Sequence, residues 1–199
     1  MTLNSTIFSV LHVNTRSVVA HNNTTKLDEI ELLAAEYNFA VVCLTETWLD
    51  NSIENVTVQL NGYADLFRLD RNRHGGGVLA YVKNDIFCVR HFDYESDDVE
   101  MLWLELKTSN FRCLYIAMCY LPPNSYSRLK QKFTDSLSTV LASLLVDPDC
   151  CVLIIGDFSD HSVFKPIQLQ LNLFRSLSAF GFHQFIDTAT RDRMILDWA

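Results

Sequence analysis

The sequence predicts an α+β domain in which two β-sheets pack together with helices outside. Three observations predict it. Short β-rich runs outnumber the helical patterns. Strands and helices do not alternate strictly, as they would in a doubly wound parallel fold. The composition is that of a packed protein, with 49% apolar residues, 13 Phe and 7 Tyr in 199 positions. That length suits a single domain, 1–199, able to bury a substantial core.

The elements follow in order. "IFSVLHVN" (7–14) is rich in β-branched and aromatic residues and reads as a strand. "KLDEIELLAAEY" (26–37) reads as a helix, with Thr24 or Thr25 as cap and acids in its first turn. "AVVCLTE" (40–46) reads as a buried strand. Runs at 75–83, 87–92, 101–107 and 112–120 read as successive strands, and their short turn-rich links predict antiparallel neighbours. A Pro-Pro break precedes the longest helical pattern, 126–146. "CVLIIGD" (151–157) is another buried strand. The 166–181 segment has Pro166 near its start, Leu169, Leu173 and Leu177 four apart, and Gly181 past its end, the punctuation of a helix. "HQFID" (183–187) and "MILDW" (194–198) are the last predicted strands. The final run breaks off within a few residues and reads as a strand cut short, so the chain reads as a fragment or a truncated open reading frame.

Composition narrows the function. A formal net charge of −8 argues against a non-specific polyanion binder. It leaves room for a nucleic-acid enzyme, in which a metal and a local basic rim offset the carboxylates. The six cysteines form no CxxC pair and sit mostly in apolar runs. They read as reduced core thiols of an intracellular protein, nuclear or cytoplasmic, and not as a zinc site or disulfide scaffold. No apolar run reaches membrane-spanning length, so no membrane partner is expected.

Several predicted strands end in a polar residue: Asn14, Glu46, Tyr120, Asp157 and Asp197. Each alone has a plain structural reading, as a turn former, a first-turn acid or a core ring. Together, at one edge of a packed sheet pair, they would converge on a pocket. The set fits phosphodiester hydrolysis with Mg²⁺, which takes oxygen ligands and is often held by only one or two carboxylates plus substrate phosphate. Glu46 suits the metal, and Asp157 suits the attacking water. Asn14 and Tyr120 suit the non-bridging oxygens. In "GDFSDHS" (156–162), neighbouring residues on an extended chain face opposite ways, so Ser159, Asp160 and His161 do not make a triad.

At these residues the chain resembles the endonuclease/exonuclease/phosphatase superfamily, and more closely the apurinic-type endonuclease domain of non-LTR (LINE-like) retrotransposons. Six stretches carry the resemblance in family order: "VLHVNTRSV" (10–18), "LTETWL" (44–49), "FRLDRNRHGGGVLAYV" (67–82), "CYLPPNS" (119–125), "LIIGDFS" (153–159) and "TRDRMILDWA" (190–199). The resemblance implies a four-layer α/β sandwich and Mg²⁺-dependent nicking of DNA, with Mn²⁺ as a substitute and a downstream reverse transcriptase as a partner. It gives Glu46 the metal, Asn14 the ordering of metal and phosphate, Tyr120 the scissile phosphate and Asp157 the water. Asp197 matches the family Asp of the "LD" strand. Arg71, Arg73, Ser159, Thr190 and Arg191 fall at substrate-binding positions. Two departures stand out. Ser159 replaces the family Asn of "GDFN", and the family's final Ser-Asp-His motif lies beyond this chain's last residue. Two other readings stay open: a phosphatase of the same superfamily, and a remnant that binds nucleic acid without cutting it.

Overall fold

The computed structural model describes residues 8–19, 26–108, 111–123, 125–158, 172–186 and 197–198. The chain runs β1 (Val10–Asn14), α1 (Lys26–Tyr37), β2 (Val41–Thr45), β3 (Tyr63–Leu69), β4 (Val78–Lys83) and β5 (Phe87–Arg90). It continues through β6 (Glu100–Lys107), β7 (Cys113–Tyr120), α2 (Ser127–Leu144), β8 (Cys150–Asp157), α3 (Asn172–Ala179) and β9 (Asp197–Trp198). The strands form a four-stranded sheet, β1-β2-β4-β3, and a five-stranded sheet, β5-β6-β7-β8-β9. Both sheets are mixed: β1 with β2 and β7 with β8 are parallel, and the other pairs are antiparallel.

Strand alternation builds the layers. Odd positions of β2 (Val41, Cys43) and even positions of β7 (Leu114, Ile116, Met118, Tyr120) meet between the sheets, with Val78, Ala80 and Val82 of β4. The other faces are covered as well. Val42, Leu44, Leu79 and Tyr81 pack under Ile30 and Ala34 of α1. Trp103, Ala117, Cys119 and Ile154 pack under α2, which contributes Phe133, Leu137, Val140, Leu141 and Leu144 at helical spacing, and under Leu173 and Leu177 of α3. The result is the four-layer α/β sandwich, helix–sheet–sheet–helix. It explains why β2 and β4 read as continuous apolar runs: with both faces covered, every residue of β2 is buried.

Three sequence expectations are corrected. The strand β3 was not anticipated. Its polar Asp65 and Arg68 mask it, and Arg68 is accommodated by bonds to Asp50 and Ile53 carbonyls, Asn55 and Asp70. The runs 75–83 and 87–92 are not sheet neighbours. Both edges of β4 are already taken by β2 and β3, so the short link 84–86 carries the chain across to the other sheet. Residues 183–186 form no strand, and Phe185 is exposed. Of the predicted 166–181 helix, 172–179 is helical; its start, like Thr24 and Thr25, lies outside the described residues. No helix among the described residues is long and apolar enough to cross a membrane.

Candidate active site

Asn14 ends β1, Glu46 follows β2, Tyr120 ends β7 and Asp157 ends β8. The sandwich brings all four to one pole. Asn14 Nδ2 donates to Asp157 Oδ2 at 2.5 Å, a bond across the sheets between residues far apart in the chain. The Tyr120 hydroxyl donates to Glu46 Oε1, a second cross-sheet bond. Glu46 Oε2 accepts from Trp48 Nε1 at 2.5 Å and from the Gly76 N–H at 3.1 Å. Asp157 and Tyr120 are both almost fully buried.

The backbone around Glu46 is held in an unusual shape. Glu46 (φ 55°) and Trp48 (φ 54°) lie in the left-handed region, which costs a non-glycine residue energy and persists only where neighbours impose it. Here the loop is tied on both sides. Ser17 N–H and the Thr15 hydroxyl donate to the Glu46 carbonyl, and Thr47 and Trp48 N–H donate to Gly77 and Gly76 carbonyls. Gly77 has φ 90°, and a Cβ there would sit 2.4 Å from Thr47 Oγ1, so the close approach of this loop to the β3–β4 hairpin requires glycine.

Below the pole, His12 shares a strand face with Asn14 and contacts Thr45 Oγ1 at 3.2 Å. Burial pulls its pKa down from 6.5 to about 4, against the opposing pull of the Asp157 carboxylate, so the ring is neutral at physiological pH. At the rim, Arg71 is engaged: it pairs with Glu100 at 2.8 Å, donates to the Gly75 carbonyl at 2.8 Å and lies over the Tyr120 ring at 5.6 Å. Arg73 lies close enough to Asp50 to help hold that carboxyl below its usual range, after the larger effect of hydrogen bonds from Ser52. One Arg73 nitrogen, Nη1, is buried without a hydrogen-bond partner.

Thus four strand-end residues expected from the sequence meet at one pole. The backbone of the fifth, Asp197, pairs with Asp157 in the β8–β9 ladder. Ser159, Thr190 and Arg191 lie outside the described residues. Sequence reasoning missed Trp48, His12 and Glu100. The period-two spacing of His12 and Asn14 on one strand was a usable signal for His12. Nothing local marked Glu100, whose place beside Tyr120 is set by the β6–β7 register.

The pole fits a hard divalent cation. Asn14 Oδ1 is buried and has no hydrogen-bond partner, and it is an acceptor only, so it calls for a cation or a water. The Glu46 carboxylate is anchored by three donors. No group of three His, Cys, Asp or Glu among the described residues forms a metal cage. Magnesium needs none, since it keeps waters and takes one or two carboxylates plus phosphate.

Comparison with known proteins bears on the fold and the family. Among solved structures, the endonuclease domain of TRAS1, a telomere-specific non-LTR retrotransposon, is similar with a TM-score of 0.69 at 14% identity, covering 96% of this chain and 82% of that one. D. rerio TDP2 complexed with a single-strand DNA product matches with a TM-score of 0.55 at 16% identity over 87% of this chain and 64% of that one. A mannosyl-6-phosphatase of Bacteroides thetaiotaomicron matches with a TM-score of 0.65 at 11% identity over 96% and 84%. At these identities the likeness is one of fold. No curated protein matches the sequence. The family model does: with residues 11–194 matched, spanning all four residues of the pole, this chain belongs to the Endonuclease/Exonuclease/phosphatase family.

Proposed function

We propose that this chain is a divalent-cation-dependent endonuclease domain that nicks DNA, of the kind that accompanies a reverse transcriptase in non-LTR retrotransposons. The carrying observation is the cross-sheet quartet, Asn14–Asp157 and Tyr120–Glu46, with an orphaned acceptor on Asn14. The likeness to the TRAS1 endonuclease domain and to a DNA-bound TDP2 supports DNA as the substrate.

Glu46 and Asn14 Oδ1 would hold Mg²⁺, or Mn²⁺ in its place. When bound, the cation supplies positive charge against the phosphate oxygens as negative charge builds on them. Asp157, fixed by the Asn14 amide, orients the attacking water and accepts its proton. The Tyr120 hydroxyl, aimed at Glu46 without substrate, turns its donor to a non-bridging phosphate oxygen. Arg73, half-buried on the same hairpin, meets the DNA backbone in this reading. Asp197 joins the catalytic residues, and Ser159, Thr190 and Arg191 complete the substrate side in this reading.

Supercoiled-plasmid nicking with Mg²⁺ tests it, comparing the natural chain, Glu46→Ala and Ser159→Asn. The natural chain nicks, Glu46→Ala does not, and Ser159→Asn, which restores a fixed donor, nicks faster. Hydrolysis of a soluble phosphomonoester with intact plasmid would favour the phosphatase reading instead.

A further inference from the structure

Glu46 hangs from one sheet and Tyr120 from the other, so their pairing depends on whatever ties the sheets together at this pole. An ion pair supplies a tie. Glu100 opens β6 and is the Cα partner of Tyr120 in the β6–β7 ladder. Its Oε1 accepts from Arg71 Nη1 at 2.8 Å, and its Oε2 accepts from the Gly77 N–H at 2.5 Å. Arg71 and Gly77 belong to the β3–β4 hairpin of the opposite sheet. Within that hairpin, Arg71 Nε holds the Gly75 carbonyl, and the Gly76 N–H reaches Glu46 Oε2. The guanidinium meanwhile covers the Tyr120 ring.

The packing leaves little freedom. A Cβ on Gly76 would lie 2.4 Å from the Arg71 guanidinium and 2.6 Å from Glu100 Oε2. The Glu100 side chain is only 16% exposed. Desolvation raises its pKa, while the Gly77 N–H and Arg71 act in the opposite sense. A carboxylate in such a place is costly unless paired, and removing one partner leaves the other uncompensated.

We propose that Glu100 is a positioning residue for the hydrolytic site: with Arg71 it clamps the 75–77 hairpin against Tyr120 and so sets the direction of the Glu46 carboxylate. The proposal rests on the endonuclease reading. In it, Arg71 serves as a structural cation over Tyr120, and Arg73 is the hairpin arginine that meets phosphate.

Three measurements test it. Plasmid nicking with Mg²⁺ gives kcat, and anisotropy of a labelled duplex without divalent cation gives Kd. Glu100→Gln keeps the side-chain volume and removes the charge; it lowers kcat about 10- to 100-fold, the usual size for an outer-shell partner, with Kd unchanged. Arg71→Lys keeps the charge and loses the fork, and it lowers kcat in parallel. If Glu100→Gln instead keeps kcat and tightens duplex binding, Arg71 is a substrate contact restrained by Glu100, and the clamp is overturned. Arg71→Lys nicking at the natural rate overturns it too.

Amide hydrogen exchange by NMR needs no activity. In Glu100→Ala and in Arg71→Ala, the Gly76 amide, bonded to Glu46 and not to Glu100, exchanges faster than in the natural chain. If Gly76 is unchanged in both, the clamp does not reach Glu46 and the proposal fails. A natural chain that nicks no DNA would sink the endonuclease reading, and the exchange measurement would then decide the clamp by itself.

Discussion

Asn14 donates its amide to Asp157 and keeps a buried carbonyl oxygen with no partner, while Glu46 gathers three donors on a strained backbone. Both are costly arrangements that a purely structural strand end would not retain. Removing the Asn14 side chain deletes both its bond to Asp157 and the buried acceptor. Asn14→Ala is expected to lower plasmid nicking by about 10²–10³, the range for a single preorganised group. Circular dichroism on the same sample separates this from unfolding. His12 supplies a pH prediction. Its folded pKa is about 4 against an ordinary 6.5, so the unfolded chain binds the proton first. The stabilisation from the neutral ring is complete above pH 6.5 and is lost as pH falls toward 4. In thermal melts across that window, His12→Gln should show a shallower decline than the natural chain. Equal slopes would mean that His12 titrates normally in the fold.

At the scale of elements, the β7–β8 pair carries two of the four residues, Tyr120 and Asp157, as Cα partners in one parallel ladder. Gly156 makes that closeness possible. A Cβ at Gly156 would lie 1.8 Å from the Cys119 carbonyl oxygen, which is backbone and cannot move aside. Gly156→Ala should therefore destabilise by about 3 kcal/mol, the upper range of overpacking, and lower the melting midpoint by roughly 6–12 °C. A melt within about a degree of the natural chain would show that the ladder opens more easily than the geometry implies. The elements also show where sequence legibility stops. β2, β7 and β8 were readable because they are long apolar runs. β3 was not, because its Arg68 is satisfied by carbonyls distant in sequence. The β4–β5 link looked like a hairpin because local turn chemistry does not record that β4 already has two neighbours.

The whole molecule carries a net charge of −8, and yet it is proposed to hold a polyanion. In the proposed function the reconciliation is local: one pole would hold a cation, and few arginines would meet phosphate. Duplex affinity should therefore respond only weakly to salt, with a log–log slope of no more than about 3, at about 0.9 per phosphate neutralised. Arg73→Ala should reduce that slope by about 1. A steep slope that is insensitive to Arg73 would place the DNA on a different surface.

The sequence by itself determined the class of fold and the chemical types at the pole. Apolar periodicity marks strands buried on both faces, and strand-end polar residues stand out against such runs, so Asn14, Glu46, Tyr120 and Asp157 were legible as a set, though not one by one. Tertiary structure decided which of them touch. It joined Asn14 to Asp157 and Glu46 to Tyr120 across the sandwich, set Glu100 beside Tyr120, and laid Arg71 over the Tyr120 ring. Those outcomes depend on sheet order and register, which arise from long-range burial and leave no mark in the neighbouring residues of the chain.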